Sequence, residues 1–282
     1  MRGTSMASPQ AAGALALLAS AAVQSSPAIK FHGGLLVRAL RNSGRPLPGY
    51  TPLDQGWGVV HVPTAFRSLE ALSKRAAGIF VGAYRTQGDT PTSRRGYSQN
   101  IFLRAGSWLP RPPARLSISV SPEFMEGAGA QNKEDYLESV DLTVEGDDVI
   151  SLPTDSLVFR KVTSAAFDVV FKPEKLKKPG TYTAIIRGTS RESGKDRGAT
   201  VFDVWVVVVV PTLFDLTNGY EKSIKGEKLA AGEMKRYFLR VPEGAAGMSV
   251  AVQAPKGRYA YGRVMVFDPE GREVEFDASA VR

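Results

Sequence analysis

The sequence predicts a mixed fold: an α/β segment built on a buried apolar helix and two further helices, then antiparallel β-sandwich modules, the last of them jelly-roll-like. Three observations carry this. Ala11-Ala12-Gly13-Ala14-Leu15-Ala16-Leu17-Leu18-Ala19 is apolar on every side, the mark of a helix enclosed by its surroundings. From about residue 78 the apolar positions alternate with period two instead, as in half-buried strands. Short turn signals such as Lys178-Pro179-Gly180 separate those runs, which favours a sandwich over a parallel sheet. The length of 282 residues is enough for two or three domains. The pattern divides the chain at 1–77, 78–211 and 212–282.

The first helix opens at Gly3-Thr4-Ser5-Met6-Ala7-Ser8-Pro9. Gly3 allows a sharp approach to the helix, and Thr4 or Ser5 is placed to cap it. Pro9 near the first turn loses little, because the leading amides of a helix lack internal partners. The Ser5 hydroxyl then stands at the positive end of the helix dipole. A second helix is expected from Ser25-Ser26-Pro27 through Ile29, Leu35, Leu36, Val37 and Leu40, ending at Asn42-Ser43-Gly44. Gln55-Gly56-Trp57-Gly58-Val59-Val60-His61-Val62 reads as a strand, followed by a helix from Pro63 to Leu72.

Residues Gly3 to Gly13 resemble the serine signature of the subtilisin-like serine peptidases over all eleven positions. The Gly56-Trp57-Gly58-Val59 segment is similar to a second stretch of that family, in the same order before the last helix of its catalytic domain. The resemblance implies that Ser5 is the catalytic nucleophile and that its own backbone amide contributes to an oxyanion hole. Gly3, Thr4, Met6 and Pro9 support the motif. It implies serine peptidase chemistry, of the endopeptidase or the tripeptidyl exopeptidase kind, on a peptide or protein substrate, with the serine on a buried central helix.

Serine needs a positioned base. In this family the aspartate, the histidine and the oxyanion asparagine all precede the serine, so the resemblance places them before Met1, and the missing N-terminal catalytic portion becomes an expected partner. The two histidines present are His32, expected on the second helix, and His61, expected beside Trp57 or at a strand edge. The family has no catalytic group at either place, so the chain alone is expected to be inactive. The competing reading takes residues 1–26 as a secretory signal peptide on a non-catalytic β-rich binding or adhesion protein. Its weakness is that Gly3-Thr4-Ser5 and Ser8-Pro9 interrupt the pattern, and its compartment would be extracellular or periplasmic.

Among the β segments, Leu116 to Ser121, Val140 to Val144, Phe167 to Phe171, Thr181 to Arg187 and Val201 to Val210 are strand candidates. Beyond residue 212, Tyr237 to Val241, Met248 to Val252 and Val264 to Phe267 form a second set, without a clear final strand. These modules resemble those appended to bacterial peptidases, and Arg94 to Arg104 is similar to a segment of the tripeptidyl peptidase II-like subtilases. Assembly into a homo-oligomer would use these modules.

Composition excludes several classes. The chain has no cysteine, hence no disulfide or thiol nucleophile. Most of the net charge of +8 comes from residues 1–78, with eight Lys/Arg against two Asp/Glu. There Arg38, Arg41 and Arg45 read as a solvated helix face rather than a nucleic-acid surface. The longest apolar run, Val204 to Val210, is too short for a membrane span. No cofactor or metal is expected. Glu134-Asp135 and Glu145-Gly146-Asp147-Asp148 are the only candidates for calcium, and neither has the spacing of a calcium loop.

Overall fold

The computed structural model describes residues 4–75, 77, 80–88, 100–103, 114–193, 199–230, 233–253, 264–268 and 272–274. Two compact units result, Met1–Val210 and Pro211–Arg282.

In the first unit, helix α1 spans Thr4–Gln24 and ends where the Ser25 hydroxyl donates to the Ala22 carbonyl at 2.7 Å. Ser25 thus closes α1 instead of opening the second helix, and α2 begins only at Gly33, running to Asn42. A short turn, α3 (Pro52–Gln55), precedes α4 (Val62–Ser73). The strand expected from Trp57 to Val62 is reduced to one bridge between Arg45 and Val59. Two glycines make that bridge feasible. A Cβ on Gly44 would meet the Trp57 carbonyl at 2.0 Å, and Gly58, at φ +92°, would bring one within 2.3 Å of the Arg45 carbonyl. Gly44 and Gly58, one on each side of the bridge, therefore let the two backbones touch, whereas Gly56 meets no neighbour within 4 Å.

Two sheets follow. Strands β1 (Val81–Gly88), β3 (Arg115–Phe124), β5 (Ile150–Ser151) and β7 (Ala165–Phe171) form an antiparallel sheet in the order β1-β3-β7-β5. The other sheet has the order β2-β9-β8-β4-β6, with β2 at Ile101–Leu103, β4 at Leu137–Gly146, β6 at Ser156–Arg160, β8 at Gly180–Ser190 and β9 at Thr200–Val210. The strand candidates from Leu116 to Val210 all lie in these elements. One pairing departs from the antiparallel expectation, because β2 runs parallel to β9.

One apolar core joins the two sheets and the helices. Ile118, Phe167 and Val169 from the first sheet share it with Val140, Ile186, Phe202 and Val206 from the second and with Leu18, Leu35 and Leu69 from α1, α2 and α4. Tyr84 of β1 bridges the sheets, its ring 5.1 Å from Phe159 and 5.9 Å from Phe202.

Helix α1 is not the buried helix expected from its composition. Only Ala14, Leu18 and Ala22 are buried, while Leu17 and Val23 are 64% and 65% exposed. The reason is geometric: α1 rests on α2 and α4 along one stripe, and among the described residues of this unit no sheet covers its other faces. By length and apolarity alone, Ser5–Gln24 would suffice to cross a bilayer.

In the second unit, Thr212–Leu213 (β10) pairs in parallel with Leu239–Arg240 (β11), and Phe267 bridges to Glu273. The expected strands at 248–252 and 264–267 are otherwise absent among the described residues, and so is a jelly roll. Met248, Val250, Val252 and Phe267 are all exposed. Among the described residues no facing layer buries that alternation, and strands without a covered face lack their main source of stability.

Candidate active site

Ser5 is the second residue of the 21-residue α1 and is exposed. Gly3 lies outside the described residues. Thr4 is already helical, so neither it nor Ser5 stands outside the helix as a cap. Met6 follows Ser5 on the open part of the helix, 41% exposed. Pro9 lies inside the helix, at its sixth residue rather than in the first turn. It lacks the amide that would otherwise bond to the Ser5 carbonyl. That carbonyl therefore lacks its usual helical donor four residues on. With a rise of about 1.5 Å per residue, Ser5 projects roughly 14 Å beyond Ala14, the first buried residue of the helix.

Among the described residues, no side chain hydrogen-bonds to Ser5. Both histidines are engaged elsewhere, and neither as expected. His32 precedes α2 and its Nδ1 accepts from the Leu35 amide at 3.3 Å. His61 precedes α4, where its Nδ1 accepts from the Thr64 amide at 3.3 Å and lies 2.7 Å from the Thr64 hydroxyl. Each ring satisfies an amide that a helix start leaves without a partner. The usual capping residues are Ser, Thr, Asp and Asn, which is why the sequence pattern did not mark these two.

Two buried charge clusters join the helical segment to the sheets. In the first, Arg75, just beyond α4, meets Glu138 of β4 through paired bonds of 2.7 and 2.9 Å, with both side chains buried. The Tyr84 and Tyr136 hydroxyls also donate to Glu138. Burial alone would push the Glu138 carboxyl up, but the Arg75 bonds and charge hold it below the ordinary carboxylate value. Burial together with the Glu138 charge pushes both tyrosines well above theirs. In the second cluster, Arg38 of α2 reaches Asp203 of β9 at 2.5 Å, and the Trp57 indole donates to the same oxygen at 3.2 Å. Trp57 lies 4.9 Å from Trp205 and under the Arg41 guanidinium at 4.4 Å. Arg38 is thus a half-buried ion-pair partner and not part of a solvated face. Burial outweighs Asp203 and lowers the Arg38 pKa.

The acidic candidates for calcium already have partners. Asp148 pairs with Lys172 and Lys175, Glu145 with Arg187 at 3.0 Å and Glu134 with Lys161 at 2.7 Å. Asp147 accepts from the Thr183 amide.

No protein-family profile matches the chain. Over 250 residues, 87% of the chain, it is 29% identical to tripeptidyl-peptidase 2 of Arabidopsis thaliana, of which the match covers 17%. Over 255 residues it is 26% identical to tripeptidyl-peptidase 2 of Drosophila melanogaster, covering 16% of that protein. The crystal structure of tripeptidyl peptidase 2 (TPP II) superposes with a TM-score of 0.62 at 23% identity, over 76% of this chain and 16% of that one, which shows a shared fold. The chain therefore spans a small part of the relatives' length. By motif, by sequence and by fold alike, the chain is similar to the subtilisin-like serine peptidases, and within them to tripeptidyl-peptidase II.

Proposed function

We propose that this chain is the part of a subtilisin-like serine peptidase that carries the nucleophile, Ser5, together with accessory β modules. The observation that carries this reading is the motif from Gly3 to Gly13, with its serine exposed in the first turn of a long apolar helix. In the reaction, the Ser5 oxygen attacks the scissile carbonyl of a peptide, and a base takes the hydroxyl proton. Negative charge then develops on the carbonyl oxygen. The Ser5 amide, in the first turn and so without a helical acceptor, is one donor for it.

The base comes from outside these 282 residues, because His32 and His61 are committed to capping. The uncovered faces of α1 are where the remainder of the catalytic domain would pack. The parts at 1–77 and 78–211 then correspond to catalytic and accessory segments, although they share one core. The residues from 212 onward are a further accessory module.

An active-site fluorophosphonate probe tests this. The isolated chain is expected to remain unlabelled, whereas the protein completed with an upstream catalytic portion labels at Ser5 and loses labelling in Ser5→Ala. Robust labelling of the isolated chain would overturn the inactivity, and a completed protein that never labels would overturn the assignment of Ser5.

A further inference from the structure

The two buried carboxylates belong to one sheet, and the strand register puts them on its opposite faces. Leu142, Gly188 and Phe202 lie side by side across β4, β8 and β9. Glu138 is four residues from Leu142 and shares that face, which the four-stranded sheet covers. Asp203 follows Phe202 and points the other way, where Arg38 and Trp57 meet it. Both sit near the end of the sheet where β8 closes and β9 opens, at the Val140–Ser190 and Thr189–Thr200 pairs. The helical segment therefore grips this end from both sides. Arg38 holds α2 on one face, and Arg75 holds the end of α4 on the other. These are the two helices on which the buried stripe of α1 rests.

Stability alone does not call for charges here. A buried ion pair typically gives no more stability than apolar side chains of the same volume. What it adds is direction. An apolar contact tolerates a slide of one element on another, whereas a paired guanidinium–carboxylate contact is satisfied at one seat only. We propose that Glu138 and Asp203 are positioning residues for Ser5, fixing the seats of α4 and α2 and, through them, the direction in which α1 carries its first turn. The inference rests on reading Ser5 as the nucleophile, but its test reads geometry instead of chemistry, so the two fail separately.

The absence of cysteine makes the test direct. Ala12→Cys on the open part of α1 and Val158→Cys on β6 are both exposed positions, and nitroxides there report one distance by pulsed electron paramagnetic resonance. The parent is expected to give a single narrow distance peak. Glu138→Gln and Asp203→Asn, in proteins still folded by circular dichroism, are expected to lose it to a broad or split distribution. The paired replacement Arg75→Met with Glu138→Leu keeps the volume and removes the direction; it is expected to fold with parent-like stability and still show the broad distribution. A narrow parent-like peak in that variant, or in either folded single variant, overturns the proposal. Failure of the paired variant to fold also overturns it, because the pair would then serve stability itself.

Discussion

The stretch before Pro211 and the stretch after it carry the same kind of sequence signal and end differently. Both alternate apolar and polar residues, as in Phe167-Asp168-Val169 and Met248-Ser249-Val250. In the first unit the alternation has a facing sheet, and Phe167 and Val169 are buried. In the second, Val250 and Val252 stay exposed. Apolar area stabilises only when something removes it from water. Period two therefore reports a capacity to form a buried strand, and a partner layer decides whether that capacity is used.

The largest expected effect falls where the first unit buries charge. Glu138→Ala leaves Arg75 unpaired inside the core and is expected to cost about 3–5 kcal/mol. Trp57, Trp108 and Trp205 all lie before residue 211, so tryptophan fluorescence during urea unfolding follows this unit alone. The pH dependence has the matching sign. The folded-state pKa of Glu138 is depressed, so its contribution is complete above the unfolded value of about 4.5 and is lost as pH falls through the folded value. Glu138→Gln is expected to flatten the acid limb of stability against pH; an unchanged limb would place the acid sensitivity elsewhere.

The two sides of α1 offer the next contrast. Leu18→Ala on the packed stripe is expected to lose about 2–5 kcal/mol, while Leu17→Ala, one residue away, stays within about 0.5 kcal/mol. Equal losses in thermal melts would mean that α1 is enclosed on both sides. Gly188 tests the sheet interior in a third way. A Cβ there would lie 2.4 Å from the Phe202 ring, so Gly188→Ala is expected to cost roughly 1–3 kcal/mol by overpacking. The smallest effect is expected after residue 211, where Val250→Asp should leave the fluorescence transition unmoved. A shift beyond about 0.5 kcal/mol would show that the second unit supports the first.

Local features were legible in the sequence, and partnered ones were not. The Ser5 motif is contiguous, so eleven residues suffice to find it. Strands β3, β4, β7, β8 and β9 were legible because alternation is a local pattern. The Arg75–Glu138 pair was not, because its members are 63 residues apart and neither is unusual in its own neighbourhood. Asp203 did leave a trace. It is the one charge between Val201 and Val210, a position where an unpaired carboxylate would be costly, and so it implied a cation from elsewhere in the chain. The exposure of α1 was illegible for the opposite reason, since its composition anticipates surroundings that these residues do not supply.

Strand β9 has a consequence for how the chain reaches this fold. Val204 to Val210 joins β-branched residues and one tryptophan with no charge, proline or glycine, the composition that self-associates most readily when left uncovered. Nearly all of it is buried in the finished fold. During synthesis it is exposed until β8 pairs along it, and its parallel neighbour β2 is drawn from a hundred residues earlier. Asp203 and Pro211 bracket the run, one interrupting the apolar sequence with charge and the other unable to extend a hydrogen-bonded ladder. The carboxylate that anchors α2 in the native protein thus also acts as a gatekeeper against aggregation while the chain is still unfolded.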